Sequence, residues 1–561
     1  MARSRYDLPA TFLSLPLLGF LSVFLIWPLI YVFVQAFWHD GGVTFTFFGT
    51  IARTPVLRES IANSFKIAAV TTLLTTALAL PLAHIVTRYT FRGKAVLASL
   101  LLVPMVMPPF VGAIGMLKVF ARFGSLNLLL KQWGLIEQPI DWIGAGGFWG
   151  VVILEVLHLY PIMYLNVAAA LANVDPTLEE AARSCGASER RLFRTVTFPL
   201  MLPGYFAGAI IVFIWAFTDL GTPLVFGYRS VVPVKIFDMV TDIRTNPAGY
   251  ALVVIVIALT AGVFAISKGL IGSRSVATIA RGHITSRERA VGRGRSSAAA
   301  AFMILVIAVA LVPHISVLIT SVAERWFMTP LPTEWTGLYY KLAVTHKNAL
   351  PSIKNSLFLS SLSTVGDIVL GITVAFLITR RRIPWRGFLD VLVMLPLALP
   401  GVVVAFGYVG CFSGGPLDPR DNPMPLLVIS YAIRRLPYMV RSAVAGFQQT
   451  SVTLEEASAS LGASTSTTLR LITLPLVMAN LVAGGVLCFA FAMLEVSDSL
   501  ILAFKDQYFP IAKAIYILLQ RIDDGPYIAA AMGMLGMALL TVSLVLAGKI
   551  LGRRMGELFR A

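Results

Sequence analysis

Two successive arginines, Arg434 and Arg435, stand inside a long apolar run, and a guanidinium keeps its charge at any workable pH. A charge in such a run needs an opposite charge, water or a passing solute beside it. Carboxylates in other apolar runs are candidates. Glu495 and Asp498 are three residues apart and so share a helix face, as do Glu155 and His158. Asp219 and Asp367 lie in further apolar stretches. The chemistry open to this set is ion pairing between neighbouring helices, polar lining of a translocation path, or both. No arrangement among them reads as catalytic. Carboxylates suit a hard cation such as ferric ion, but no residues have metal-ligand spacing. Cys185, Cys411 and Cys488 are widely scattered with no paired or His-associated motif, which argues against a disulfide framework, a zinc site and an iron–sulfur site.

The elements that must position these groups follow from composition. Hydrophobic residues make up 57% of the 561 and charged residues 13%, with a mean hydropathy of +0.82; a soluble domain is about 45–50% apolar and ~25% charged. Most of the chain must therefore face lipid. The net charge of +17 is no nucleic-acid signature, because the basic residues sit in short clusters between apolar runs. A bilayer core takes roughly 20 helical residues. That ruler predicts about twelve spans, at 12–37, 61–86, 95–120, 148–171, 202–226 and 250–271, then 298–322, 353–378, 388–412, 425–447, 477–504 and 527–551. The first is too long for a signal-peptide core and reads as retained. The clusters Arg88/Arg92/Lys94, Arg380/Arg381/Arg382 with Arg386, and Arg553/Arg554 fall on one side, which places both termini in the cytoplasm. His84 and His314 read as helix-end residues, and the methionines and aromatics as packing or lipid-facing.

The two halves are copies. Residues 177–188 align without gaps on 453–464, with nine of twelve positions identical. The register continues through Arg194/Arg470, Pro199/Pro475 and Gly208/Gly484; earlier, Asn63-Ser64 answers Asn355-Ser356, and Pro104 and Pro108 answer Pro396 and Pro400. Six spans per copy start both on the same side, giving two parallel repeats about an axis along the membrane normal. The expected organisation is a first domain at 1–272, a cytoplasmic linker rich in Arg, Ser and Gly at 273–297, and a second domain at 298–561. The repeated segment falls on the cytoplasmic side, between the fourth and fifth spans of each copy. Asp175 or Ser451 can cap a short helix, Gly186 or Gly462 can end it at positive φ, and a second short stretch leads to Pro199 or Pro475. The result is a helix–turn–helix bracket, with Ala181, Ala182, Ala457 and Ser458 on a close-packing face.

This bracket resembles the EAA motif of the permeases of ABC-type importers. Its first copy reads Glu180-Ala181-Ala182, Gly186, Val196 and Phe198-Pro199; its second reads Glu456-Ala457-Ser458, Gly462, Ile472 and Leu474-Pro475. Ser458, Phe198 and Val196 are mild departures from the motif. The resemblance covers nearly the whole chain and is nearest to the fused double permeases of ferric-iron, thiamine and aminoethylphosphonate importers. It implies an all-α polytopic membrane protein with the type I ABC importer permease fold. It also implies coupling helices built on the residues just named, docking two copies of an ABC ATPase subunit on the cytoplasmic face, and a periplasmic or extracellular substrate-binding protein on the other. The location implied is the bacterial inner membrane. The chain has no Gly-x-x-x-x-Gly-Lys-Ser/Thr loop, so it is expected to bind no cofactor of its own and to leave ATP to the partner.

An ion-coupled secondary transporter can also consist of two parallel six-span halves, but it needs no repeated docking bracket. A purely structural or receptor protein does not explain polar groups deep in paired spans. The substrate expected is ferric ion, delivered by the binding protein. A small anion such as a phosphonate or sugar phosphate is the alternative, favoured by Arg434 and Arg435, with thiamine third. Glu155, His158, Asp219, Arg434, Arg435, Glu495 and Asp498 are the candidate path residues.

Overall fold

The computed structural model describes residues 7–39, 41–272 and 289–551. Most of the linker expected at 273–297, and the Arg553/Arg554 cluster, lie outside them. Within the linker's last residues a helix begins, at Arg293, and runs to Val322. Among the described residues ten helices are long and apolar enough to cross a membrane, and one bent pair makes eleven. The tenth expected span is present as the helix Met424–Gln449, but its three arginines, Arg434, Arg435 and Arg441, set it apart from the apolar ones.

Several spans expected to be continuous are broken, and the repeated prolines account for two of them. In the first copy Lys94–Leu100 gives way to a tight turn at Val103–Val106, then to Pro109–Phe120. In the second, Arg386–Ala398 and Gly401–Phe412 meet at a bend of 103°. Met107 and Leu399, each followed by proline, are extended rather than helical. Proline's ring disfavours helical backbone in the residue before it, so the break falls there.

The spans after the brackets stop early as well. Phe198–Thr218 ends at Asp219 and Leu474–Met493 ends just before Glu495; the short helices Gly221–Phe226 and Ser497–Leu502 follow. Further short helices, Val232–Met239 and Ile511–Leu519, are tied back by the repeated Asn-Ser pair. Asn63 donates to the Ser230 carbonyl at 3.1 Å and the Ser64 hydroxyl accepts from the Val232 amide at 2.9 Å. Asn355 donates to the Phe509 carbonyl at 3.2 Å and the Ser356 hydroxyl accepts from the Ile511 amide at 2.7 Å. Each pair satisfies backbone groups that a bilayer would leave unpaired.

Contacts divide the described residues into two compact units. One draws on 7–39, 41–54, 236–257 and 340–551, the other on 55–235, 258–272 and 289–339. Each unit therefore combines most of one copy with the first span of the other. In the former, the Trp385 indole donates to the Ser14 hydroxyl at 2.8 Å, Tyr408 donates to the Phe24 carbonyl at 2.6 Å, and Arg381 pairs with Asp7 at 2.9 Å. In the latter, Ser316 donates to the Gly115 carbonyl at 2.9 Å and Lys118 to the Trp326 carbonyl at 3.0 Å. Lipid offers no hydrophobic drive for helices to associate, so close approach and hydrogen bonds must do it. Gly208 and Gly484 show the first device. A Cβ on Gly208 would meet Asn166 at 3.0 Å, and one on Gly484 would meet Ser442 at 2.8 Å, so each glycine lets the span after a bracket pack directly on the span before it.

Candidate functional site: two brackets and two buried polar nodes

The first bracket is the helix Pro176–Ser184 and the turn Glu189–Leu192. Asp175 caps the helix by accepting from the Thr177 amide at 2.9 Å and its hydroxyl at 2.8 Å. Those bonds hold the Asp175 carboxyl below its usual range. Gly186, at φ +80°, ends the helix, and Ala187 donates back to the Ala182 carbonyl at 3.0 Å. The second bracket repeats this with Ser451 as cap, the helix Val452–Ser460, Gly462 at φ +85° and the turn Thr465–Thr468. In both copies a π-helical turn, Phe193–Thr197 or Leu469–Thr473, leads into the next span.

One side of the motif faces in and the other out. Glu180, Ala181, Glu456 and Ala457 are exposed, whereas Ala182 is half-buried and Ser458 is buried, its hydroxyl 2.9 Å from that of Thr468. The close-packing face expected of four small residues is thus limited to Ala182 and Ser458. Helical periodicity turns the residue before each of them outward.

The glutamate preceding each motif does the anchoring, a role that sequence reasoning missed. Glu179 pairs with Arg88 at 2.7 Å and accepts from the Thr197 hydroxyl at 3.0 Å, while Arg88 also reaches the Leu171 carbonyl at 3.5 Å. Glu455 pairs with Arg380 at 2.9 Å and accepts from Thr473 at 3.3 Å; Arg380 donates to the Phe447 and Thr450 carbonyls at 2.7 and 2.9 Å. In each copy one arginine, at the end of the second or eighth span, clasps the end of the preceding span and the bracket together. The signal was available: the register that carries Asn63 onto Asn355 also carries Arg88 onto Arg380.

Deeper in each copy lies a polar node. Arg434 and Arg435 both engage Glu495, one on each carboxylate oxygen; Arg434 is also 3.5 Å from Asp498, and Arg435 donates to the Phe491 carbonyl at 3.0 Å. Tyr431 and Ser499 close the node with hydroxyls 2.6 Å apart. Successive residues on a helix point about 100° apart, which predicts that only one arginine reaches a given partner while the other faces a polar cavity. The flexible aliphatic stems overcome that divergence. The pairing also lies within one repeat rather than between the two. Asp367 is fully buried, with its carboxyl beside the Cys488 thiol.

The other node differs in charge. The register that carries Glu180 onto Glu456 places Glu155 at Tyr431, His158 at Arg434, Asp219 at Glu495 and Thr222 at Asp498. Glu155, 2% exposed, accepts from the Thr222 hydroxyl at 3.2 Å and lies beside Asp219. Asp219 in turn caps the short helix after it, accepting from the Thr222 amide at 2.9 Å. His158 Nδ1 lies 3.2 Å from the Pro104 carbonyl and lines a small cleft with Met107 and His314. His314 is buried in the middle of its helix rather than at an end. Among the described residues no three His, Cys, Asp or Glu side chains are grouped to hold a metal ion.

A twice-built bracket clasped to a bundle of membrane-spanning helices defines a transport component of the membrane, and comparison with known proteins agrees. Residues 75–274 and 367–557 each match the family of binding-protein-dependent transport system inner membrane components, and the chain belongs to that family. It is therefore a multi-pass inner-membrane permease of an ABC importer, a class that works with an ATPase and a binding protein. Among its relatives, the ferric transport system permease protein FbpB of Actinobacillus pleuropneumoniae is 25% identical over 91% of this chain and 74% of that protein. The putative ferric transport system permease protein FbpB 1 of Haemophilus influenzae is 26% identical over 86% of this chain and 76% of its own length. The molybdenum transport system permease protein ModB of Escherichia coli is 30% identical over 36% of this chain and 87% of its own.

Proposed function

We propose that this chain is the permease through which a substrate-binding protein delivers ferric ion, driven by two ATPase subunits, one under each bracket. The observation that carries the reading is the similarity to a ferric transport permease along 91% of the chain. The basic clusters support a cytoplasmic position for the brackets and for both termini. The chain binds no cofactor in this reading, and ATP is hydrolysed by the partner. Glu180, Ala181, Ala182 and Gly186, with Glu456, Ala457, Ser458 and Gly462, form the coupling surfaces. Glu155, His158 and Asp219 are the path residues best suited to a cation, since no guanidinium accompanies their carboxylates.

A small oxyanion is the second reading, favoured by the likeness to ModB and by the paired arginines. Against it, both guanidiniums are held by Glu495, with Asp498 beside them, so the node has as many carboxylates as arginines. Uptake into proteoliposomes containing the chain, its ATPase and the cognate binding protein separates the readings. ATP-dependent accumulation of radioactive ferric ion supports the first, and accumulation of molybdate or a phosphonate instead supports the second. ATP-independent uptake driven by an ion gradient would overturn both.

A further inference from the structure

The two brackets share a backbone and differ in surface. From Asp175 to Arg194 the first bracket carries eight charged residues, whereas the equivalent stretch from Ser451 to Arg470 carries three. Arg190 and Arg191 are exposed where the second copy has Ser466 and Thr467. At the turn, Cys185 of the first copy is answered by Leu461, which is 89% exposed. Pro176 is answered by Val452, 46% exposed, and Thr195 by Leu471, 67% exposed. Of these, Val452 and Leu461 lie on the bracket itself; Leu178 and Leu454, exposed alike at 48% and 47%, are common to both copies.

The occupant of both surfaces is the ATPase subunit, a statement that rests on the function proposed above. Both brackets have the same helix, the same glycine turn and the same arginine clasp, so one kind of subunit fits both. We propose that the two brackets nevertheless hold their subunits by different forces. The first adds ion pairs from Arg190 and Arg191 to an acidic rim of the partner; the second buries Leu461 and Val452 in an apolar groove. Exposed ion pairs are screened as the Debye length falls from about 10 Å at 0.1 M salt to about 3 Å at 1 M. Burial of aliphatic surface is not. The second bracket is thus the anchored site and the first the exchangeable one.

The test is the number of ATPase subunits bound per full-length chain, without nucleotide, by native mass spectrometry or light scattering between about 0.05 M and about 1 M KCl. Two subunits are expected at low salt and one at high salt. Arg190→Gln with Arg191→Gln should leave one subunit at low salt, and Leu461→Ser should remove the one that survives at high salt. The exchange Leu461→Cys, Ser466→Arg and Thr467→Arg copies the first surface onto the second bracket. It should make both subunits salt-sensitive, a gain that misfolding cannot imitate. Loss of both wild-type subunits over the same salt range overturns the proposal, as does an exchange variant that still retains one subunit at high salt. Absence of any ATPase binding at low salt overturns the underlying importer reading, a separate result.

Discussion

Glu179 and Glu180 are neighbours in sequence with opposite surroundings, and the same holds for Glu455 and Glu456. The inner member of each pair meets a buried arginine, and the outer member faces solvent. Removing one partner of a buried pair leaves an uncompensated charge and costs about 3–5 kcal/mol. Glu179→Gln and Glu455→Gln should therefore lower thermal stability and expose the bracket to proteolysis, while Glu180→Gln and Glu456→Gln should do neither. In the arginine node, Glu495→Gln leaves Arg435 with no carboxylate and Arg434 with only the more distant Asp498, and should cost more than either Arg434→Gln or Arg435→Gln. Each single arginine change still leaves a pair on Glu495. Thermal unfolding in detergent ranks the three, and an order with Arg435→Gln worst would contradict the shared-carboxylate geometry. The sequence showed which residues were candidates for these roles, because charges in apolar runs are conspicuous. It did not show that two adjacent arginines converge on one carboxylate, since side-chain reach is absent from helical spacing.

At the scale of elements, the caps and turns of the brackets were legible because Asp, Ser and Gly have few other reasons to occur at those spacings. The breaks in the spans were not. Pro104 and Pro108 were visible as repeated residues, yet apolar length alone merged the segments on either side into single spans. The early ends at Asp219 and Glu495 were hidden for the same reason, since the apolar run continues past them. Gly186 and Gly462 offer a direct test of the turn. Neither has an atom within 4 Å of where a Cβ would lie, so a substitution there meets only backbone strain. A non-glycine residue in this left-handed conformation costs roughly 1–2 kcal/mol, and asparagine tolerates it best. Gly462→Ala should therefore speed hydrogen exchange in Val452–Ser460 more than Gly462→Asn does. Equal exchange in both variants would argue against the positive φ.

For the whole molecule, the duplication and the membrane class were plain from register and composition. The exchange of first spans between copies was not, because no local pattern records which bundle an apolar helix joins. Asp7 on Arg381 and Ser14 on Trp385 place the first span among the helices of the second copy. A chain split within 273–288 and expressed as two pieces should therefore purify as one complex, and Asp7→Lys should weaken the association. Independent purification of the pieces would contradict the exchange. The central claim is that the exposed faces of the brackets couple ATP hydrolysis to import. Its most direct test is ATP hydrolysis in nanodiscs holding the chain and its ATPase, with and without ferric-loaded binding protein. The wild-type complex should be stimulated by the loaded binding protein. The Glu180→Ala, Glu456→Ala double variant, folded and inserted as wild type, should not respond; stimulation equal to wild type in that variant would contradict the account.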